Sequence, residues 1–216
     1  MTKDLFAALE PSVELAPGLV LARGFFDGSA QRLLADEIAA LASVSPWYRP
    51  RMPRSGKPFS VEMTNCGTLG WVSDIGGYRY QPLHPVTGEP WRPIPALALR
   101  AWGVFSAYPL PPQACLVNFY GAEARMGLHQ DADEGDFSAP VVSISLGDEA
   151  LFRYGGQNRS DPTRSVRLRS GDVIVLGGPS RRAFHGVDRI FPGTSELLQG
   201  GGRINLTLRR VTGRGQ

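Results

Sequence analysis

From Ala114 onward the chain breaks into short β-branched or aromatic pieces: Ala114–Tyr120, Val141–Leu146, Leu151–Tyr154, Ser165–Arg169, Asp172–Leu176, Ala183–Val187 and Arg203–Val211. Gly, Asp-Pro and Ser-Gly sequences punctuate them. Such pieces are too short for helices and carry no helical period, so they predict strands. Many short strands with Gly- and Pro-rich connections close into a sandwich, jelly roll or barrel. The half before this point differs. Leu33, Leu34, Ile38 and Leu41 recur at helical spacing after Asp27 or Ser29, either of which can cap the helix, and Pro46 ends it. A second helix is predicted over Ile94–Ala107, with Pro95 in its first turn and Leu97, Ala101 and Val104 or Phe105 on one face. Between the two lies a stretch from Trp47 to Trp91 rich in Pro, Gly, Arg and Tyr, with strand-like pieces at Phe59–Met63 and Tyr78–Tyr80. A loop-rich insertion ahead of a β core is a cover or recognition element, or a plain surface excursion. The expected organisation is therefore residues 1–113 packed on a β core of residues 114–216.

The composition removes several classes. With 216 residues, 42% of them hydrophobic, the chain can bury a core without disulfide or metal staples. Its apolar runs, such as Val173–Leu176, fall far short of the roughly 20 residues of a membrane span. The Met1–Phe6 start has an early acid and no apolar region, so no signal segment is expected. Two cysteines, Cys66 and Cys115, make neither a disulfide framework nor a metal knuckle, which points to a reducing, cytoplasmic setting. No heptad and no apolar surface run is visible, so the default is a monomer. The net charge is only +3, but Lys3 and Lys57 are the only lysines among 23 basic residues and the rest are arginines. Arginine suits planar, bidentate partners such as phosphate and carboxylate, although codon bias gives the same count.

Three histidines are available for chemistry: His84, His129 and His185. His129 and Asp131 are two apart and share a face on extended chain. His185 lies on a predicted strand further on, while His84, in Leu83-His84-Pro85, is expected to be a surface or structural histidine. Two imidazoles and a carboxylate can occupy one face of an octahedral metal and leave open positions, as in non-haem Fe(II) oxygenases. Zinc hydrolases share that ligand set, but their His-Glu-x-x-His helix is absent. The stretch Arg203-Ile204-Asn205-Leu206-Thr207-Leu208-Arg209 alternates polar and apolar residues. In a half-exposed strand the polar face meets water. Inside a barrel it lines a pocket in which two guanidiniums can grip a small dicarboxylate, with Asn118 and Tyr120 adding hydrogen bonds.

The set Asn118-x-Tyr120, His129-x-Asp131, His185 and Arg203-x-Asn205-x-Thr207-x-Arg209, with Met63-Thr64-Asn65-Cys66-Gly67 and Leu69-Gly70-Trp71 upstream, resembles the bacterial AlkB dioxygenases over nearly the whole chain. The resemblance implies a mainly β fold with flanking helices: a double-stranded β-helix, or jelly roll, behind an N-terminal helical and loop-rich nucleotide-recognition lid. It also implies Fe(II) on His129, Asp131 and His185, with 2-oxoglutarate as cosubstrate and O2 as oxidant. By similarity Arg203 pairs with the distal carboxylate of 2-oxoglutarate and Arg209 lies near its metal end. Asn118, Tyr120 and Asn205 complete that pocket. The implied reaction is oxidative demethylation of bases such as 1-methyladenine and 3-methylcytosine, in single- or double-stranded DNA or in RNA, releasing formaldehyde, succinate and CO2. A flipped base would stack between Trp71 and His129, and Asp133 would take its exocyclic amine. Tyr78 and Arg159 match nucleotide and phosphate contacts, and Met63 the base edge. Arg49, Arg51, Arg54 and Lys57 form a basic loop suited to phosphate or simply to solvent. The same core acting on tRNA, protein or a small molecule, and a non-catalytic nucleic-acid-binding module, stay open. No membrane partner is expected.

Overall fold

The computed structural model describes residues 12–213; the Met1–Phe6 start lies outside them. Asp27 caps the first helix, α1 (Gly28–Val44), by accepting the Ala30 N–H at 2.8 Å. Leu34, Ile38 and Leu41 are its buried stripe, whereas Leu33, read with them from the sequence, turns to solvent. The second helix, α2 (Ala96–Phe105), starts one residue after Pro95, which stands at the N-cap rather than inside the first turn.

Thirteen strands follow in chain order among the described residues. They are β1 (Val13–Ala16), β2 (Leu19–Ala22), β3 (Glu62–Gly67), β4 (Gly70–Asp74), β5 (Gly77–Gln81), β6 (Ala114–Tyr120), β7 (Met126–His129), β8 (Val141–Gly147), β9 (Glu149–Tyr154), β10 (Arg164–Leu168), β11 (Val173–Leu176), β12 (His185–Phe191) and β13 (Arg203–Arg209). Seven form one antiparallel sheet in the order β1-β2-β11-β8-β13-β6-β3. Four form a second, β10-β9-β12-β7, and β4 with β5 makes a separate hairpin. Three strands of the large sheet precede residue 114, so the segment expected to pack on the core also supplies part of its main sheet. The upstream piece expected at Phe59–Met63 pairs later, as β3, because Met63 to Gly67 align with Asn118 to Ala114 of β6.

The architecture is a two-sheet jelly roll with helices on its outer face, as anticipated. Burial patterns explain the layering. Ile204, Leu206 and Leu208 of β13 join Val142 and Ile144 of β8 in one cluster with Leu34 and Ile38 of α1 and Ala98, Ala101 and Trp102 of α2. That is the core between helices and large sheet. On the opposite face, Leu19, Leu21, Val141 and Ile174 meet Phe152, Tyr154 and Leu168 of the small sheet. All seven residues of β13 are buried, so its polar face looks inward between the sheets and not at solvent. The β4–β5 hairpin lies over one opening of this interior. At Gly70 a Cβ would sit 2.4 Å from the Trp91 ring, so only glycine lets the hairpin approach that closely.

Candidate active site

The two imidazoles meet because of strand register. In the β12–β7 pair His185 lies directly opposite His129, and their ring centroids are 4.5 Å apart. Asp131 follows two residues after His129; its carboxylate oxygens lie 4.0 Å from His129 Nε2 and 3.9 Å from His185 Nε2. One ligand atom from each residue falls within 4.8 Å of the others, the spacing of three donors around one cation. Each ring is oriented from behind, His129 Nδ1 by the Gly127 carbonyl and His185 Nδ1 by the Ala183 carbonyl, both at 2.9 Å. That leaves both Nε2 atoms facing Asp131. Burial, together with the charge of His129, pushes His185 down to about 4, so it stays neutral as a ligand must be. Burial alone would raise the Asp131 carboxyl. Arg209, bonded to both its oxygens, outweighs that and holds it well below the usual carboxylate range. Two neutral imidazoles and an ionised carboxylate fit a borderline divalent cation such as Fe(II).

Beside the triad, the inward residues of β6, β8 and β13 line a cavity of about 240 Å³. Arg203 is 1% exposed and donates Nη2 to Ser145 Oγ at 2.9 Å. Its Nε and Nη1 have no partner, nor does Asn118 Oδ1. A buried guanidinium with idle donors is costly unless an anion takes them, so the cavity is built for a carboxylate. Tyr120 lies opposite Arg203 in register, its ring centroid 5.3 Å from the guanidinium carbon. Asn205 lines the same cavity and is fixed from behind. Its amide nitrogen is committed to Ser143 Oγ at 2.7 Å and the Ile144 carbonyl at 3.0 Å, and its oxygen accepts Thr207 at 3.0 Å, so it braces the wall. Arg209 grips Asp131, through Nη2 at 2.8 Å and Nε at 3.2 Å.

The hairpin supplies the other wall. Trp71, Tyr78 and the fully buried Met63 line the cavity with His129 and Asp133. Trp71 stacks on Tyr78 at 5.4 Å and 20°, and its indole N–H donates to Asp133 Oδ2 at 2.7 Å. Arg159 stands outside the cavity lining, with Nη1 on the Leu128 carbonyl at 2.8 Å. In the basic loop, Arg49 pairs with Glu62 at 3.1 Å and Arg51 holds the Gly56 carbonyl at 2.9 Å, while Arg54 and Lys57 are exposed. His84 is buried and structural: Nε2 meets the Pro46 carbonyl at 2.9 Å and Nδ1 accepts the Val86 and Thr87 amides.

Sequence reasoning passed over three residues here. Tyr80 and Glu134 line the cavity and are joined by a hydrogen bond from the Tyr80 hydroxyl. Burial raises the Tyr80 phenol, keeping that donor protonated. Arg181 is buried and donates to Glu134 at 3.0 Å, to the Asp131 carbonyl at 2.9 Å and to the Ala139 carbonyl at 2.7 Å. Tyr80 could have been found from its two-residue spacing to Tyr78; nothing local marks Arg181.

Residues 18–209 match the family described as the 2OG-Fe(II) oxygenase superfamily. The chain belongs to this superfamily. It is 57% identical over 197 residues to the alpha-ketoglutarate-dependent dioxygenase AlkB homolog of Caulobacter vibrioides, covering 91% of this chain and 89% of that one. It is 44% identical over 214 residues to the alpha-ketoglutarate-dependent dioxygenase AlkB of Escherichia coli, covering 96% and 97%. The solved structure of OsALKBH1 superposes with a TM-score of 0.78 at 34% identity, over 93% of this chain and all of the other. As an AlkB-type member of the superfamily the protein is a dioxygenase that uses Fe(II), 2-oxoglutarate and O2. Among the described residues no helix is long and apolar enough to cross a membrane.

Proposed function

We propose that the protein demethylates N-alkylated bases, 1-methyladenine and 3-methylcytosine, in DNA. The observation that carries this reading is the meeting of a two-histidine, one-carboxylate triad with a buried, partly idle guanidinium in one cavity, roofed by a tryptophan and an acid. His129, Asp131 and His185 hold Fe(II). With O2 and 2-oxoglutarate bound, the iron supplies the oxidation: 2-oxoglutarate leaves as succinate and CO2, and the methyl group leaves as formaldehyde.

The chain's own residues do the rest. Arg203 anchors the distal carboxylate of 2-oxoglutarate with the donors that have no internal partner, and Asn118 and Tyr120 fix its orientation beside it. Asn205 and Thr207 hold the wall rigid, so the cosubstrate is positioned by a strand and not by a loop. Arg209 sets the Asp131 carboxylate. The methylated edge of a base is shielded within a duplex, so the base enters flipped or from a single strand. Trp71, braced by Tyr78 and Asp133, stacks on it against His129, and Met63 meets its edge. Asp133 keeps Oδ1 for the exocyclic amine, and its charge favours these methylated bases, which are cationic. Tyr78, Arg159 and the basic loop take the flanking backbone.

The test is turnover on oligonucleotides carrying 1-methyladenine or 3-methylcytosine, with Fe(II) and 2-oxoglutarate, following formaldehyde and the repaired base. The expected result is stoichiometric formaldehyde and succinate, lost in His185→Ala. Succinate formed only with tRNA, protein or small-molecule substrates would refute the DNA assignment and keep the dioxygenase core.

A further inference from the structure

Three groups converge on the carboxylate of Glu134, which the mechanism above does not use. Its Oε2 takes Arg181 at 3.0 Å, in an ion pair whose side chains are 3% and 2% exposed. Its Oε1 accepts the Tyr80 hydroxyl and also lies 3.5 Å from Arg209 Nε. Arg209 is thus divided between two acids. Nη2 and Nε cover both oxygens of Asp131, at 2.8 and 3.2 Å, and Nε is the atom it shares with Glu134.

A divalent cation at the triad must take an Asp131 oxygen that Arg209 now holds, and it repels the guanidinium as a like charge. Burial forbids Arg209 from turning to water, so it needs a second acceptor within reach that does not touch the cation. We propose that Glu134 is a positioning residue that draws Arg209 Nε off Asp131 as the cation binds, and that Tyr80 opposes this by occupying the same carboxylate oxygen. Arg181 keeps the acceptor in place by bonding Glu134 and the Asp131 main chain together. The proposal rests on the reading of His129, Asp131 and His185 as metal ligands.

The two variants have opposite signs, which a merely structural role would not produce. Glu134→Gln removes the charge that receives Arg209, so Mn(II) binding weakens about tenfold, within the range of coupling between contacting groups. Tyr80→Phe frees the shared oxygen, so Mn(II) binding tightens about two- to threefold. The experiment is calorimetric titration of the full chain with Mn(II), without 2-oxoglutarate, alongside thermal melts to show that each variant is folded. Glu134→Gln binding within twofold of wild type, or weaker binding in Tyr80→Phe as well, overturns the proposal. Should Glu134→Gln fail to fold, the Tyr80→Phe sign decides: tighter binding supports the proposal, and unchanged or weaker binding overturns it. Mn(II) binding that survives Asp131→Ala removes the triad reading itself, and this proposal with it, however the Glu134 variants behave.

Discussion

Arg203 is the residue whose burial most needs a ligand to explain it. Two of its donor nitrogens make no hydrogen bond, and desolvation, only partly offset by the neighbouring Tyr120, pulls its pKa down from the usual arginine value. Replacing an unpaired buried charge with an apolar side chain of similar length relieves that cost. Arg203→Met should therefore melt at the same temperature as the wild type or higher, while its affinity for 2-oxoglutarate falls. Charge-assisted hydrogen bonds of about 1.5–3 kcal/mol put that loss at roughly ten- to a hundredfold. A thermal melt paired with a 2-oxoglutarate titration in the presence of Mn(II) checks both halves. Trp71→Ala should cost about 1–3 kcal/mol of base stacking, read as weaker binding of a 1-methyladenine oligonucleotide. It also releases Asp133 from its indole partner. The ligand set and the two arginines were legible in the sequence because spacing by two on a strand places side chains on one face. Glu134 and Arg181 were not, since their meaning lies in contacts 47 and 50 residues apart along the chain. The bond from Arg209 to Asp131 was hidden for the same reason, spanning 78 residues.

At the level of elements, the site depends on how closely β12 and β7 approach. A Cβ on Gly186 would lie 2.5 Å from the Met126 carbonyl oxygen and 2.9 Å from that of Gly127, both main-chain atoms of β7. Gly186→Ala must therefore push the two strands apart next to the His185–His129 pair. Overpacking of this kind costs about 1–3 kcal/mol of stability. Mn(II) affinity should fall further than the shift in melting temperature accounts for, because two of the three ligands separate; an unaltered affinity would show that the register does not set the site. The strands after Ala114 were readable as a group, since β-branched runs between turn signals mark them individually. β1, β2 and β7 lack the β-branched run that marks the equally short β11, and pairing with the rest of the sheets defines them. The placement of β3 was set likewise by its register with β6 and not by its own composition.

Taken whole, the molecule is a helix layer, a large sheet and a small sheet, with the polar interior between the sheets opening under the β4–β5 hairpin. Charge is spread thinly, at a net +3, so affinity for a polyanion depends on local arginines and lysines and not on an overall field. Binding of a methylated oligonucleotide should weaken as salt rises. Removing Arg54 or Lys57 should lower the salt slope by about 1 each if each meets one phosphate. A slope unchanged in both variants would place the strand elsewhere on the surface. The central claim is that one cavity holds a divalent iron and a keto acid side by side. Anaerobic addition of Fe(II) and 2-oxoglutarate to the full chain tests it directly, by the weak visible charge-transfer absorption of a metal-chelated keto acid. That band should form in the wild type, need far more 2-oxoglutarate in Arg203→Met and vanish in His185→Ala; its absence from the wild type, or its survival in His185→Ala, would contradict the account.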